Sequence, residues 1–259
     1  MLPVYRMIDG VNNIQKNRAI FTFCTELLDQ KKSIILFPEG NHSLKRKVRP
    51  LKKGAARIIQ ETLQEFPKRE IIIIPVGVNY QAPTEYGDSM SVYFGKHISP
   101  TKFWDGSQLD MQELNKTISA ELKQLTSHIE SISDYEQNLK NLKNLKIDFT
   151  SPIAVNKCLQ NDFLKTENKI KEPSRLYLFF IFLIKVFYFL PYFIWKKVAF
   201  PKIAEDEFIG TFRYVLIITL APIYLLLLVF SSFLFFGKTI GLTLLGIGII
   251  LPLVTLRVK

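Results

Sequence analysis

Two apolar runs near the carboxyl end constrain this chain more than any other feature. Tyr214 to Phe236 and Thr239 to Leu256 carry no charged residue. Each is long enough to cross a hydrocarbon layer, which takes about 20 apolar residues. Only Gly237 and Lys238 separate them, so the two runs are expected to form a helical hairpin. An earlier apolar stretch, Leu176 to Trp195, has Lys185 at its middle and is interrupted by Pro191. If it also spanned, Lys196, Lys197, Lys202 and Arg213 would lie opposite the basic remainder of the chain, which the positive-inside tendency disfavours. The preferred reading is an in-plane or re-entrant segment with Lys185 snorkelling toward the headgroups. The hairpin then returns the terminal "RVK" to the cytoplasmic side, and the chain reads as a multi-pass membrane protein with its basic domain in the cytoplasm.

The first 172 residues have a different composition. Of the 21 Phe in the chain, most follow Arg175, whereas the amino-terminal part is charged and mixed. A formal net charge of +11 calls for an anionic partner. Beside apolar membrane segments, that partner is most simply lipid phosphate. Nucleic acid is not expected, because aromatic residues do not interleave with the Lys/Arg run and no recognition motif is present. Cys24 falls on the apolar face of an expected helix and reads as a buried thiol. Two Cys and three His without ligand spacing give no metal site. The amino terminus has no basic-then-apolar signal pattern.

Periodicity organises this part as β-α-β-α-β followed by another strand. "MLPVYRMI" is β-capable. From Asn17, taken as a cap, Ile20, Phe23, Cys24, Leu27 and Leu28 follow helical spacing. "SIILF" (Ser33 to Phe37) reads as a buried strand, and Lys52 to Phe66 as an amphipathic helix. "EIIIIPVGVNY" (Glu70 to Tyr80) reads as a strand covered on both faces. "MSVYFGK" (Met90 to Lys96) is a further strand. This order predicts an α/β domain over residues 1–108 with a mostly parallel sheet flanked by helices. A helical extension over 109–172 follows, with a stripe of Leu114, Ile118, Leu122, Leu125 and Ile129 and another helix after Pro152. The membrane region is 173–259: 176–195 interfacial or re-entrant, 214–236 and 239–256 transmembrane.

The stretch "ILFPEGNHSLKRKVRPLKKGAARI" holds one carboxylate, Glu39, followed by seven Lys or Arg before Glu61. Pro38, Glu39 and Gly40 alone suit a plain turn, and a charge run is often only a solvated face. Together the pieces suggest more. Arg6 ends the first expected strand, Glu39 follows the second and Lys52 opens the next helix. In a parallel sheet, ligands bind beyond the carboxyl ends of strands. There Arg6 and Lys52 would converge on a phosphate with the free N–H groups of a helix start. A neighbouring carboxylate would accept a hydroxyl or hold the Arg. Such a site suits a small phosphorylated alcohol.

The ordered set "LPVYR", "LFPEGNHS…RPLKKGA" and "IIIIPVGV" resembles the second, third and fourth motifs of the glycerolipid acyltransferase superfamily, the lysophosphatidate and glycerol-3-phosphate acyltransferases. The resemblance covers about residues 1–98. It implies transfer of a fatty acyl group from acyl-CoA or acyl carrier protein to a hydroxyl of a glycerol phosphate or lysophospholipid in phospholipid synthesis, with no further cofactor. It also implies that Arg6, Glu39, Gly40 and Lys52 line the acceptor site. This chain departs from the pattern at "GNHS", where His42 replaces the family's Arg; Arg49 or Lys45 stands near enough to supply the missing charge.

The larger departure concerns the base. The family pairs a His with an Asp after four intervening residues, because an alcohol attacks poorly unless a proton is removed. In this chain the fifth residue after His42, His97 and His128 is Lys47, Lys102 and Ser133. No catalytic residue is therefore identifiable, and the chain is expected to be a piece of a longer protein, inactive by itself. The alternative is a non-catalytic membrane protein that binds lysophospholipid or phosphate headgroups.

Overall fold

The computed structural model describes residues 16–85, 87–164, 169–170 and 173–258. The chain forms two compact units. One runs to Gln81 and resumes over Ser89–Lys169; the other comprises Ala82–Asp88 and the chain from Ile170 onward.

In the first unit α1 (Lys16–Asp29) packs on α2 (Gly54–Glu65). The contact buries Phe21, Cys24 and Ile58, and Thr62 Oγ1 meets Thr25 Oγ1 at 3.3 Å. Arg69 closes the far end of α1 by a 2.6 Å ion pair with Asp29. The opposite side of α2 presents Ala56, Ile59 and Leu63 to Ile71, Ile98, Leu109 and to Leu114 and Ile118 of α3 (Met111–Leu125). Asp110 starts α3 by accepting the N–H groups of Gln112 and Glu113, the usual work of an N-cap carboxylate. A second core joins Ile129 to Tyr135 and Leu142 of α4 (Tyr135–Asn144), Ile147, Phe149 and Val155 and Cys158 of α5 (Pro152–Gln160). Pro152 occupies the first turn of α5, where its missing N–H costs nothing.

The sheet differs from the expectation. Among the described residues it is a single antiparallel pair, β1 (Val76–Tyr80) with β2 (Met90–Phe94), not a mostly parallel sheet. The connection over residues 81–89 is shorter than the dozen or so residues a parallel crossover needs. Upstream, among the described residues, Ile73 bridges to Ile98, and Ser33 to Phe37 forms no strand and is mostly exposed rather than buried. The inner face of the hairpin lies hard against the end of α3. A Cβ on Gly77 would stand 2.2 Å from the Leu125 carbonyl oxygen, so only glycine fits. Asn79 then clips the two together, donating to Leu125 O at 2.9 Å and accepting Ser127 N–H at 2.8 Å. On the outer face the cross-strand pairs Val76/Phe94, Val78/Val92 and Tyr80/Met90 are all exposed. The four Ile at 71–74 therefore divide, Ile71 buried and Ile72 and Ile74 exposed, instead of being covered on both sides. The helical stripe of the extension stops at Leu125, and Ile129 belongs to the second core instead.

In the second unit α8 (Ile209–Phe236) and α9 (Lys238–Val258) form the expected hairpin. At 1.5 Å per residue they run about 42 and 32 Å, so both are long and apolar enough to cross a membrane. Gly237 makes the turn at φ 88°. Gly241 and Gly248 let the helices close: a Cβ would lie 2.0 Å from the Phe233 ring at one and 2.5 Å from Leu225 at the other, the small-residue packing that apolar surroundings favour.

The interrupted stretch is two helices, α6 (Arg175–Phe187) and α7 (Phe189–Ile194), the second continued by a π-turn (Trp195–Ala199) and a 3-10 turn (Phe200–Lys202). The two halves meet at a 90° bend. Ser174 Oγ, at the start of α6, is 3.3 Å from the carbonyl of Val258, the end of α9. At the bend Tyr188 donates to Gly248 O at 2.9 Å, and Tyr224 donates to Phe187 O at 3.1 Å. Ala199, Lys202 and Ile203 then lie beside Phe212 to Leu220 of α8. The segment thus starts beside the end of α9, bends beside the middles of both long helices, and finishes beside the start of α8. At the start of α8 the Arg213 guanidinium binds the carbonyls of Thr84 and Glu85.

Candidate functional site

The loop between α1 and α2 folds around one carboxylate. Phe37 to Gly40 is a β-turn closed by Gly40 N–H on Phe37 O at 3.2 Å. Gly40 sits at φ 77°, in the left-handed region that favours glycine. Lys52 N–H returns to Pro38 O at 2.8 Å, and the Lys52 stem packs where a Gly40 Cβ would point, 3.2 Å from Lys52 Cγ. This closure sets the turn at the approach to α2. Glu39 is held from the other side by Arg49. Its Oε1 accepts Arg49 N–H at 3.1 Å, and its Oε2 accepts Arg49 Nε at 3.2 Å and Nη2 at 3.0 Å. The Arg49 fork also donates to the Asn41 carbonyl. Glu39, Gly40, Arg49 and Lys52 therefore come together. His42 lies exposed in the same loop. Arg6, at the end of the expected first strand, lies outside the described residues.

The basic run is not a uniformly solvated face. Arg46 is anchored: Nη1 donates to Tyr80 O at 2.8 Å, Nη2 to Gln81 O at 2.9 Å, and its guanidinium lies 3.8 Å from the centre of the Phe149 ring. Its own N–H donates to Tyr135 Oη at 2.7 Å, and its carbonyl accepts Ile129 N–H at 2.8 Å. Arg46 thus ties the loop to the end of β1 and to the second core. In sequence nothing marks it off from Lys45 and Lys47; the distinction is that Arg presents a planar fork that stacks and binds two carbonyls at once.

His128 fastens the same loop. It lies past the end of α3, buried, rather than on a surface helix. Its Nδ1 accepts the Val48 N–H at 3.0 Å, and its Nε2 lies 2.6 Å from Glu130 Oε2. An Nδ1 that accepts from a backbone N–H carries no proton, so the proton sits on Nε2 and is donated to Glu130. Burial pushes the imidazole below its ordinary value, against the opposing pull of Glu130. Glu130 in turn is drawn down to about 2, chiefly by its hydrogen bond from Lys123 and then by His128. With both ring nitrogens committed, His128 is a clasp and not a free base.

Residues 2–79, which contain this loop and β1, match the family model described as Acyltransferase. This segment is similar to acyltransferases. Over 71 residues the chain is 35% identical to an uncharacterized acyltransferase of Schizosaccharomyces pombe, 27% of this chain and 10% of that protein. The chain therefore aligns with about a tenth of the length of that curated relative. No solved structure matches it. The acyltransferase match ends at β1, so α3 to α9 lie beyond it.

Proposed function

We propose that this chain carries the acceptor side of a membrane-bound O-acyltransferase that esterifies a glycerol phosphate or lysophospholipid. The observation that carries the reading is the closure of Lys52 onto Pro38, which gathers two cations and a clamped carboxylate within one acyltransferase-family loop. In the proposed reaction an acceptor hydroxyl attacks the thioester carbonyl of acyl-CoA or acyl carrier protein. The new C–O ester bond forms, the C–S bond breaks, and the hydroxyl proton passes by way of a general base to the departing thiolate. Lys52, with Arg6, takes the phosphate. Glu39 holds the Arg49 guanidinium in a fixed fork, so that its charge faces the acceptor without reorganisation.

A general base typically contributes about 10²–10⁴-fold. No His in the 259 residues is followed at the family spacing by Asp, and we propose that the base comes from outside this stretch of sequence. Binding and turnover are then separable. The chain in mixed micelles should bind lysophosphatidate, and Lys52→Gln should weaken that binding about tenfold or more, since a hydrogen bond to a charged group contributes roughly 1.5–3 kcal/mol. Lys140→Gln, on the exposed face of α4, should leave it unchanged. Equal losses for the two variants would sink the acceptor-site reading. With acyl-CoA present the chain should turn over little until a segment bearing His-x4-Asp is joined upstream. Robust Glu39-dependent turnover without it would place the base elsewhere, His42 first.

A further inference from the structure

The second unit has a groove that the acyltransferase reading does not use. It measures about 440 Å³ and is lined by Ala199, Ile203, Phe212, Val215, Leu216, Thr219, Leu220 and one charged side chain, Lys202. The lining from α8 comes from its first three turns, and the opposite wall is the 3-10 turn that ends the bent segment. The groove therefore lies at the end of the apolar hairpin, where hydrocarbon gives way to headgroups.

Its surroundings have an interfacial composition. Trp195 packs edge-on against Phe200 at 5.9 Å, and Lys196 lies 6.0 Å from the centre of the Tyr192 ring. Aromatic rings with Lys beside them collect at this depth. Arg213 is already bound to two carbonyls. The acidic residues Glu205, Asp206 and Glu207, the last of them half-buried, precede α8 and do not line the groove.

We propose that this groove is a binding site for one anionic phospholipid, with an acyl chain along Phe212 to Leu220 and the phosphate on Lys202. An apolar trough that ends in a single cation is complementary to an amphiphile whose polar end is an anion. A zwitterionic lipid gains the same apolar contact but carries a cation of its own beside Lys202. The preference rests on one lysine near the bilayer surface, worth about 1 kcal/mol, or roughly fivefold in association.

The chain has two Trp, Trp104 and Trp195. Trp104→Phe keeps a ring against the first core and leaves Trp195, on the π-turn that ends at Ala199 of the groove lining, as the reporter. The full chain is reconstituted in phosphatidylcholine vesicles containing small, equal mole fractions of brominated phosphatidylglycerol or brominated phosphatidylcholine. Trp195 quenching should show about fivefold stronger association with the anionic lipid. Lys202→Gln should abolish the difference and Lys202→Arg should keep it. Lys238→Gln, at the other end of the hairpin, should leave it unchanged. Equal quenching by the two lipids overturns the proposal. So does loss of selectivity in Lys238→Gln to the same extent as in Lys202→Gln, because general attraction to an anionic surface would then explain the preference. Lys202 is exposed, so its replacement leaves the helices folded, which far-UV circular dichroism verifies.

Discussion

His128→Ala should destabilise the first unit by about 2–4 kcal/mol, and the structure says why. Val48 is buried, and its N–H donates to His128 Nδ1. Removing the acceptor leaves a buried donor without a partner, which costs about 1–3 kcal/mol, and the lost ring leaves a space beside the second core. Glu130 loses one donor but keeps Lys123 at 2.8 Å and is mostly exposed, so it adds little. At about 2–4 °C per kcal/mol for a unit of this size, the melting midpoint should fall by roughly 4–16 °C.

His128→Asn separates the clasp from the packing, because its Oδ1 takes the place of Nδ1 and still accepts from Val48. Most of the lost stability should return. The pH dependence supplies a second readout. The native imidazole is held below its ordinary 6.5, so the unfolded chain binds the proton more readily. Stability from this group is complete above pH 6.5 and is lost as pH falls from there toward the lowered native value. Glu130 acts in a separate window, between 4.5 and about 2. The assay is near-UV circular dichroism melting of the full chain in detergent micelles from about pH 5 to 8, the range in which histidine titrates. Wild type should lose stability on acidification and His128→Asn should be flatter. A His128→Ala midpoint within about 1 °C of wild type, or an unchanged slope in His128→Asn, would refute the reasoning.

Two further outcomes follow from close contacts and topology. Gly77→Ala should lift the β hairpin from α3, since the new methyl would meet Leu125 backbone at 2.2 Å; the expected cost is about 1–3 kcal/mol, read as a lower melting midpoint with intact helix content. Cysteines placed at Ser174, at Lys202 and at Lys238 should report the re-entrant path, with the first two labelled from one side of a vesicle and the third from the other; Cys24 and Cys158 are buried and give little background. Labelling of positions 174 and 202 from opposite sides would mean that the bent segment spans.

Some of this protein is set by local pattern alone. Long charge-free runs joined by Gly237 and Lys238 specify an apolar hairpin because length and hydropathy decide it without reference to any other residue. The helix at Gly54–Glu65 and the one opened by Pro152 follow from periodicity and from the geometry proline imposes. The Glu39–Gly40 turn was legible for the same reason, and so was the burial of Cys24. Strand pairing was not legible, because a run of Ile states that a face wants cover but not what supplies it. The 81–89 connection makes β1 and β2 antiparallel, and half of the isoleucines consequently remain exposed. The basic run also hid its division of labour. Arg46, the Val48 N–H and Arg49 each meet a different partner: Phe149 and two carbonyls, a histidine from 80 residues away, and a carboxylate across the loop. The first two partners come from distant parts of the chain, so which cation is anchored is decided by tertiary structure and not by charge.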